Sequence, residues 1–439
     1  MSNNIFSAVK NIILLYCFVA LVVALAFREL SIYIFPINVL IATILALSGR
    51  WIDARIGLLL FASLYYLGQF FNFFIIDLPD ITSGLNNNVG FHLTDYYINI
   101  QALNYVVVFQ LGLLVQLLIN KLDFQNIYNY HKIKILTYDF FIAIKLVRLT
   151  LFLIFILLLS TLNWNEIGSK YTLEGMANIY FVYYLFISIM IMDFIYKGVY
   201  LRKSQYMFVI GVVFSLILFN YLGVRQVLFW SSMILFVSVS IFLHIYKGSS
   251  LSIAKNKKYF IFGIFLFSFF LMLLNIGFLF RHQKTEMVNV LMGVTFLDLL
   301  NAIVSAFFAE TKLTTYNLLA VVDENTRGNY LSFFNMLRDL LVMLVPSGLW
   351  AEKYEYLETV RFAKEYNVTP FGTWYIVGEL VSSVVYPIYV FIASYIYSIF
   401  LYIFSSQSFH RSRSLIVASI FYGIAYVFLG LYVVRGTLS

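Results

Sequence analysis

Residues 11–27 read NIILLYCFVALVVALAF, and after the pair Arg28-Glu29 residues 30–48 read LSIYIFPINVLIATILALS. Neither run carries a charged side chain, and neither alternates apolar with polar residues as a half-buried strand would. About 20 apolar residues wound as helix cover the roughly 30 Å hydrocarbon core of a bilayer. Lipid offers no hydrogen bonds to a peptide, so spans are helices or closed barrels, and unbroken runs of this kind are helices. The first run has no A-x-A-type cleavage site and leads straight into the second, so it is read as a retained span.

The same pattern recurs along the 439 residues, at 56–76, 102–120, 140–162, 177–196, 206–222, 227–246, 259–280, 374–404 and 415–434, making eleven expected spans. Composition agrees: 62% of residues are hydrophobic, only 11% are charged, and the mean hydropathy is +0.88. A soluble chain carries about 25% charged residues, so a water-soluble enzyme, a secreted disulfide scaffold and a disordered chain are excluded. Cys17 is the single cysteine, which leaves no intrachain disulfide or thiolate cluster, and it reads as a small hydrophobe facing lipid or core.

The net charge of +8 carries topological information. Alternate segments on one side hold Lys10, Arg50, Arg55, Lys121, Lys132, Lys134, Lys197, Arg202, Lys203, Lys247, Lys255, Lys257, Lys258, Arg411 and Arg413. The short segments on the other side hold Arg28, Lys170, Arg225 and Arg435. Positive-inside places the N-terminus in the cytoplasm and, with eleven spans, the C-terminus outside. Lys145 and Arg148 then snorkel at the cytoplasmic end of the fifth span. No basic stretch interleaves with aromatics as in a single-strand binder, so no nucleic-acid partner is expected. The layout divides into residues 1–280, a membrane domain of nine spans; 281–373, an extracytoplasmic cap; and 374–439, the last two spans and an outer C-terminus.

Residues 281–373 contain apolar stretches at 287–308 and 331–350 and too many Leu, Phe, Trp and Tyr for disorder, which predicts a folded helical cap. The 287–308 stretch is apolar enough for a twelfth span. However, Asp298, Asn301 and Ser305 share one helical face, which suits a helix lying at the interface. Arg281, Arg327, Arg338 and Arg361 in this segment, with Arg225 in the turn Gly223-Val224-Arg225-Gln226, are candidate anion ligands, because guanidinium forks bind phosphate oxygens in pairs. Surface pairing with Asp323, Asp339 or Glu358 is the plainer alternative for the cap arginines. Glu379, expected a few residues inside the tenth span, is a carboxylate where carboxylates are costly unless paired or functional. Glu310 is a second candidate. No metal motif, phosphate-cradling glycine loop or nucleophile elbow occurs.

These features resemble the bacterial oligosaccharide repeat-unit polymerases, which make O-antigen and capsule. The resemblance rests on ten or more spans, a large outer loop before the last two, the Gly223-Val224-Arg225 turn, and Thr369-Pro370-Phe371-Gly372 followed by Ile376-Val377-Gly378-Glu379. Val345-Pro346-Ser347-Gly348-Leu349-Trp350-Ala351-Glu352-Lys353 is similar to that family's Ile-Pro-Arg…Trp-Pro-x-Lys stretch, with Ser347 and Gly348 where arginine is common.

The resemblance implies an all-α, GT-C-like polytopic glycosyltransferase of the bacterial cytoplasmic (inner) membrane, active on its outer face. Its substrate would be oligosaccharide on undecaprenyl pyrophosphate, with a chain-length regulator as partner and no metal or other cofactor. The arginines would hold pyrophosphate, Glu379 or Glu310 would serve as base, and Trp350, Trp374 and Tyr354 would stack on sugars. An O-antigen ligase shares the architecture but calls for a cap histidine, for which His282 is the candidate. A lipid-linked oligosaccharide flippase calls for an even number of spans and no cap.

Overall fold

The computed structural model describes residues 3–74, 95–120, 138–160, 176–200, 225–247, 315–332, 356–366, 375–383, 385–410 and 414–431, together with 122, 211, 334–335, 338–339 and 342. Among these, every regular element is helical. Helices α1 (Asn3–Ala26), α2 (Ser31–Leu45), α3 (Ala54–Phe74) and α4 (Tyr96–Ile119) coincide with the first four apolar runs. Helices α5 (Tyr138–Ser160), α6 (Met176–Asp193) and α7 (Arg225–Lys247) coincide with the fifth, sixth and eighth. The expected span at 206–222 (Gly211 apart), the span at 259–280, and the 287–308 stretch lie outside the described residues.

Among the described residues, five helical stretches are long and apolar enough to cross a membrane: Val9–Ala26, Arg28–Arg50, Ala54–Phe71, Tyr96–Ile119 and Pro387–Phe409. They make the chain a membrane protein. Helix α4 starts six residues before its predicted span because Asp95 caps it, accepting the Ile98 N–H at 2.9 Å.

Two features correct the sequence reading. Residues 374–404 do not form one span. Tyr375 is extended, a short helix α10 (Ile376–Val381) follows, and the chain breaks before α11 (Pro387–His410). Proline tolerates the first helical position, where its missing N–H has no partner to lose, and disfavours helix in the residue before it. Glu379 therefore sits on a short helix ahead of the span.

The second correction concerns 281–373. A helix at residues 315–326, α8 in chain order, falls between the two stretches expected to be helical, and 315–325 are all buried. Tyr316 and Leu318 to Val322 join the same apolar core as α4. Part of the expected cap is thus core. Helix α9 (Glu358–Glu365) is amphipathic, burying Leu357 and Phe362 while Arg361 and Lys364 stay exposed.

The chain forms two compact units: Met1–Leu122 with Phe307–Ile403 and Phe428–Ser439, and Asp123–Ala306 with Phe404–Val427.

In the first unit α4 is enclosed, with residues 98–118 all buried except Gln101. Helices in lipid gain little by burying apolar surface, so close packing and polar pairs hold them together. The buried amide side chains of α4 find partners on neighbouring helices. Gln69 Nε2 donates to Asn99 Oδ1 at 2.7 Å, and Ser31 Oγ to Asn104 Oδ1 at 3.1 Å. Asn38 Nδ2 donates to Gln110 Oε1 at 3.1 Å, and Gln110 Nε2 donates on to Ser63 Oγ at 2.8 Å. Gly112 lets α11 come close, since a Cβ there would stand 2.6 Å from the Phe391 carbonyl.

In the second unit α7 packs on α12 (Leu415–Ala425), where a Cβ on Gly423 would stand 3.0 Å from the Ile234 carbonyl. Arg148 does not simply snorkel: it shares Asp193 with Lys197, at 2.9 and 2.8 Å.

Candidate functional site

Of the cap arginines expected to hold an anion, Arg338 and Arg361 converge. Both reach the same Glu358 oxygen, at 3.4 and 3.2 Å. Glu358 and Arg361 are one turn apart on α9, whose buried Leu357 and Phe362 fix which way that face points. Arg338 also lies 3.2 Å from Asp339 Oδ1 and donates to the Tyr356 carbonyl at 3.2 Å. Its hydrogen bond to the Asp339 carboxylate pushes the Arg338 pKa above its ordinary value.

Depth matters more than pairing here. The Arg338 and Arg361 side chains are 49% and 59% exposed, whereas the Asp339 side chain beneath is 3% exposed. The guanidinium N–H edges therefore form the outer layer, with the carboxylates underneath holding them in place. The Arg361–Glu358 pair, at the surface, contributes about 0–1 kcal/mol, so an incoming phosphate can compete with it at little cost.

Arg327 behaves differently. It lies 2.6 Å from Asp323 and 3.4 Å from Glu324, at the end of α8. That end is a Schellman turn: Gly328, at φ 88°, donates its N–H to the Asn325 carbonyl at 3.1 Å, and Asn329 donates to the Glu324 carbonyl at 2.9 Å. The Asn329 side chain also donates to Glu324, at 2.8 Å. Two carboxylates to one guanidinium make this end of α8 a poor seat for an anion.

Arg225 opens α7, and its side chain lies outside the described residues. So do Arg281, Glu310, Trp350, Tyr354, Trp374 and His282.

Glu379 is 8% exposed, in the same compact unit as Arg338 and Arg361. Three contacts fix α10 around it. The Tyr375 hydroxyl donates to the Ala62 carbonyl on α3 at 2.7 Å. Asn325 Nδ2 donates to the Val381 carbonyl at 2.9 Å, and the Leu331 N–H donates to the Ser382 carbonyl at 2.8 Å. Tyr397, on α11, is within electrostatic reach of the carboxylate. Gly378 packs flat on α8: a Cβ there would stand 2.8 Å from Asn317 Nδ2 and 3.1 Å from the Leu318 backbone.

Asn317, Asp339 and Glu358 as a cluster partner are the residues that sequence reading missed as parts of a site. Asn317 is 1% exposed, and neither its Nδ2 nor its Oδ1 has a hydrogen-bond partner among the described residues. A buried polar group left unpaired costs about 1–3 kcal/mol, so its retention asks for a reason. Only the short polar-apolar run Thr314-Thr315-Tyr316-Asn317-Leu318-Leu319 marks it in sequence, and nothing there distinguishes it from a surface helix.

Among the described residues no group of three or more His, Cys, Asp or Glu side chains could hold a metal ion. No protein-family model, no curated protein and no solved structure matches the chain.

Proposed function

We propose that this chain is a glycosyltransferase that joins oligosaccharide repeat units carried on undecaprenyl pyrophosphate into O-antigen or capsule polysaccharide. It works at the outer face of the bacterial cytoplasmic membrane, through about eleven spans, with the N-terminus inside. Support comes from the helical membrane architecture, from the sequence features of the repeat-unit polymerases, and above all from one observation. Arg338 and Arg361 meet on Glu358 with their guanidinium edges exposed and their carboxylate supports beneath.

A polyprenyl tail stays in hydrocarbon, so its pyrophosphate is held at the boundary where long basic side chains reach. The acceptor's sugar hydroxyl oxygen bonds to the donor's anomeric carbon. The bond from that carbon to pyrophosphate breaks, and undecaprenyl pyrophosphate leaves with the electron pair. Fixed guanidinium groups lower the barrier by stabilising charge growing on the leaving oxygen. The hydroxyl proton passes to the Glu379 carboxylate. Trp350, Trp374 and Tyr354 remain the candidates for stacking on sugar, and a chain-length regulator is the expected protein partner.

Deleting the gene and resolving the surface glycan on a gel tests this. The expected outcome is loss of the ladder with single repeat units still displayed. Bare acceptor with long chains left on the lipid carrier would point to a ligase instead, and absence of any displayed unit to a flippase.

A further inference from the structure

We propose that Arg148 and Lys197, in the second unit, form a binding site for the phosphate of an anionic phospholipid. The two cations come from different elements: Arg148 from α5, and Lys197 from the turn Phe194–Tyr200 that continues α6. Both close on one carboxylate, Asp193, at 2.9 and 2.8 Å. Among the described residues no second carboxylate pairs with either, so the cluster carries one positive charge in excess. The Asp193 side chain is 8% exposed, against 23% for Arg148 and 27% for Lys197. The carboxylate therefore lies beneath, and the N–H groups reach outward.

The surroundings suit a lipid. Arg148 stands at the start of the apolar stretch Leu146–Ser160 and Lys197 just beyond apolar α6, where hydrocarbon gives way to headgroups. Two turns after Arg148, Phe155 is buried against Tyr183 of α6 with ring centroids 5.8 Å apart, so the guanidinium sits at the seam of the two helices. Flanking that seam, Leu149, Phe152 and Ile156 are exposed at i, i+3, i+7 spacing. They cover about 10 Å of the roughly 15 Å depth of one leaflet. On the topology proposed above α5 starts at the cytoplasm, so this stripe runs from the cations toward the bilayer centre, as the acyl chains of an inner-leaflet lipid do. A phosphate diester supplies the missing negative charge and accepts from Arg148 and Lys197. A zwitterionic lipid brings an ammonium that offsets the attraction, and a free anion gains nothing from the apolar stripe.

The test uses the full chain in detergent and native mass spectrometry, with phosphatidylglycerol and phosphatidylcholine added in equal amounts. Wild type should retain phosphatidylglycerol in preference. Arg148→Gln and Lys197→Gln each leave Asp193 one cation, so neither strands a buried charge, and each should cut that preference roughly fivefold. Arg148→Lys keeps the charge and should keep most of the preference. Asp193→Asn frees both cations and should hold or strengthen it. Equal retention of the two lipids by wild type would overturn the assignment. So would an unchanged preference in both glutamine variants, the mark of cations that serve only to pair with Asp193. None of these readouts involves transfer, so the site stands or falls separately from the glycosyltransferase reading.

Discussion

Arg55 grips Asp53 with two prongs inside the protein, Nη2 at 2.6 Å from one carboxylate oxygen and Nε at 2.9 Å from the other, with the arginine 1% exposed. Asp53 also accepts the Arg55 backbone N–H at 3.1 Å, at the start of α3. The remaining guanidinium nitrogen reaches Gln116 Oε1 on α4 at 2.5 Å, and Ser398 on α11 donates to the same oxygen at 2.9 Å. The Tyr402 ring lies 5.0 Å from the guanidinium carbon. One buried cation thus ties three helices together, where sequence reading saw only a topology marker.

Removing one partner of a buried pair leaves the other charge stranded, which typically costs about 3–5 kcal/mol. Asp53→Ala should therefore lower the thermal midpoint of the purified protein sharply. Replacing the pair together, as Asp53→Leu with Arg55→Met, should recover a good part of that loss. Equal midpoints for wild type and Asp53→Ala would show that the pair is not holding the helices.

Arg338 and Arg361 should separate stability from activity. The Arg361–Glu358 pair lies at the surface, so Arg361→Ala should shift stability by no more than about 1 kcal/mol, whereas Arg338→Ala also takes a partner from the buried Asp339 and should cost more. Transfer should fall by roughly 100-fold in each, the size of effect seen when one fixed charge-stabilising donor is lost. Arg327→Ala should keep wild-type transfer, because its guanidinium is occupied by Asp323 and Glu324. Equal losses in all three variants would dissolve the distinction.

Glu379→Gln keeps the shape of the buried side chain and removes the base. It should reduce kcat by roughly 100-fold or more, within the range usual for a general base, with the donor KM little changed. Stability should hold, since glutamine keeps the size and a polar oxygen of the buried side chain. Wild-type turnover in Glu379→Gln would clear the residue of the proton-transfer role.

The helices were legible because lipid imposes a single rule on the sequence, a long and mainly apolar run, and α1 to α4 show it even with the amides that α3 and α4 carry. Helix α8 was not, because its Thr315, Asn317, Asp323, Glu324 and Asn325 read as a polar surface, and only three-dimensional enclosure buries them. The division of 374–404 was marked by Pro387, yet the flanking residues are apolar on both sides and hydropathy runs straight through. Individual arginines could be nominated, but charge alone does not tell Arg327, alone against Asp323 and Glu324, from Arg338 and Arg361, two cations that meet on Glu358 with Asp339 beside them. Asn317 carries no local signal at all, because an orphaned amide is defined by what surrounds it.

The most direct measurement places the wild-type protein in liposomes with the lipid-linked repeat unit as the sole source of sugar, and follows both glycan length and free undecaprenyl pyrophosphate. A ladder of products should appear, with one undecaprenyl pyrophosphate released for each linkage formed. Repeat units that stay single, with no carrier released, would contradict the account.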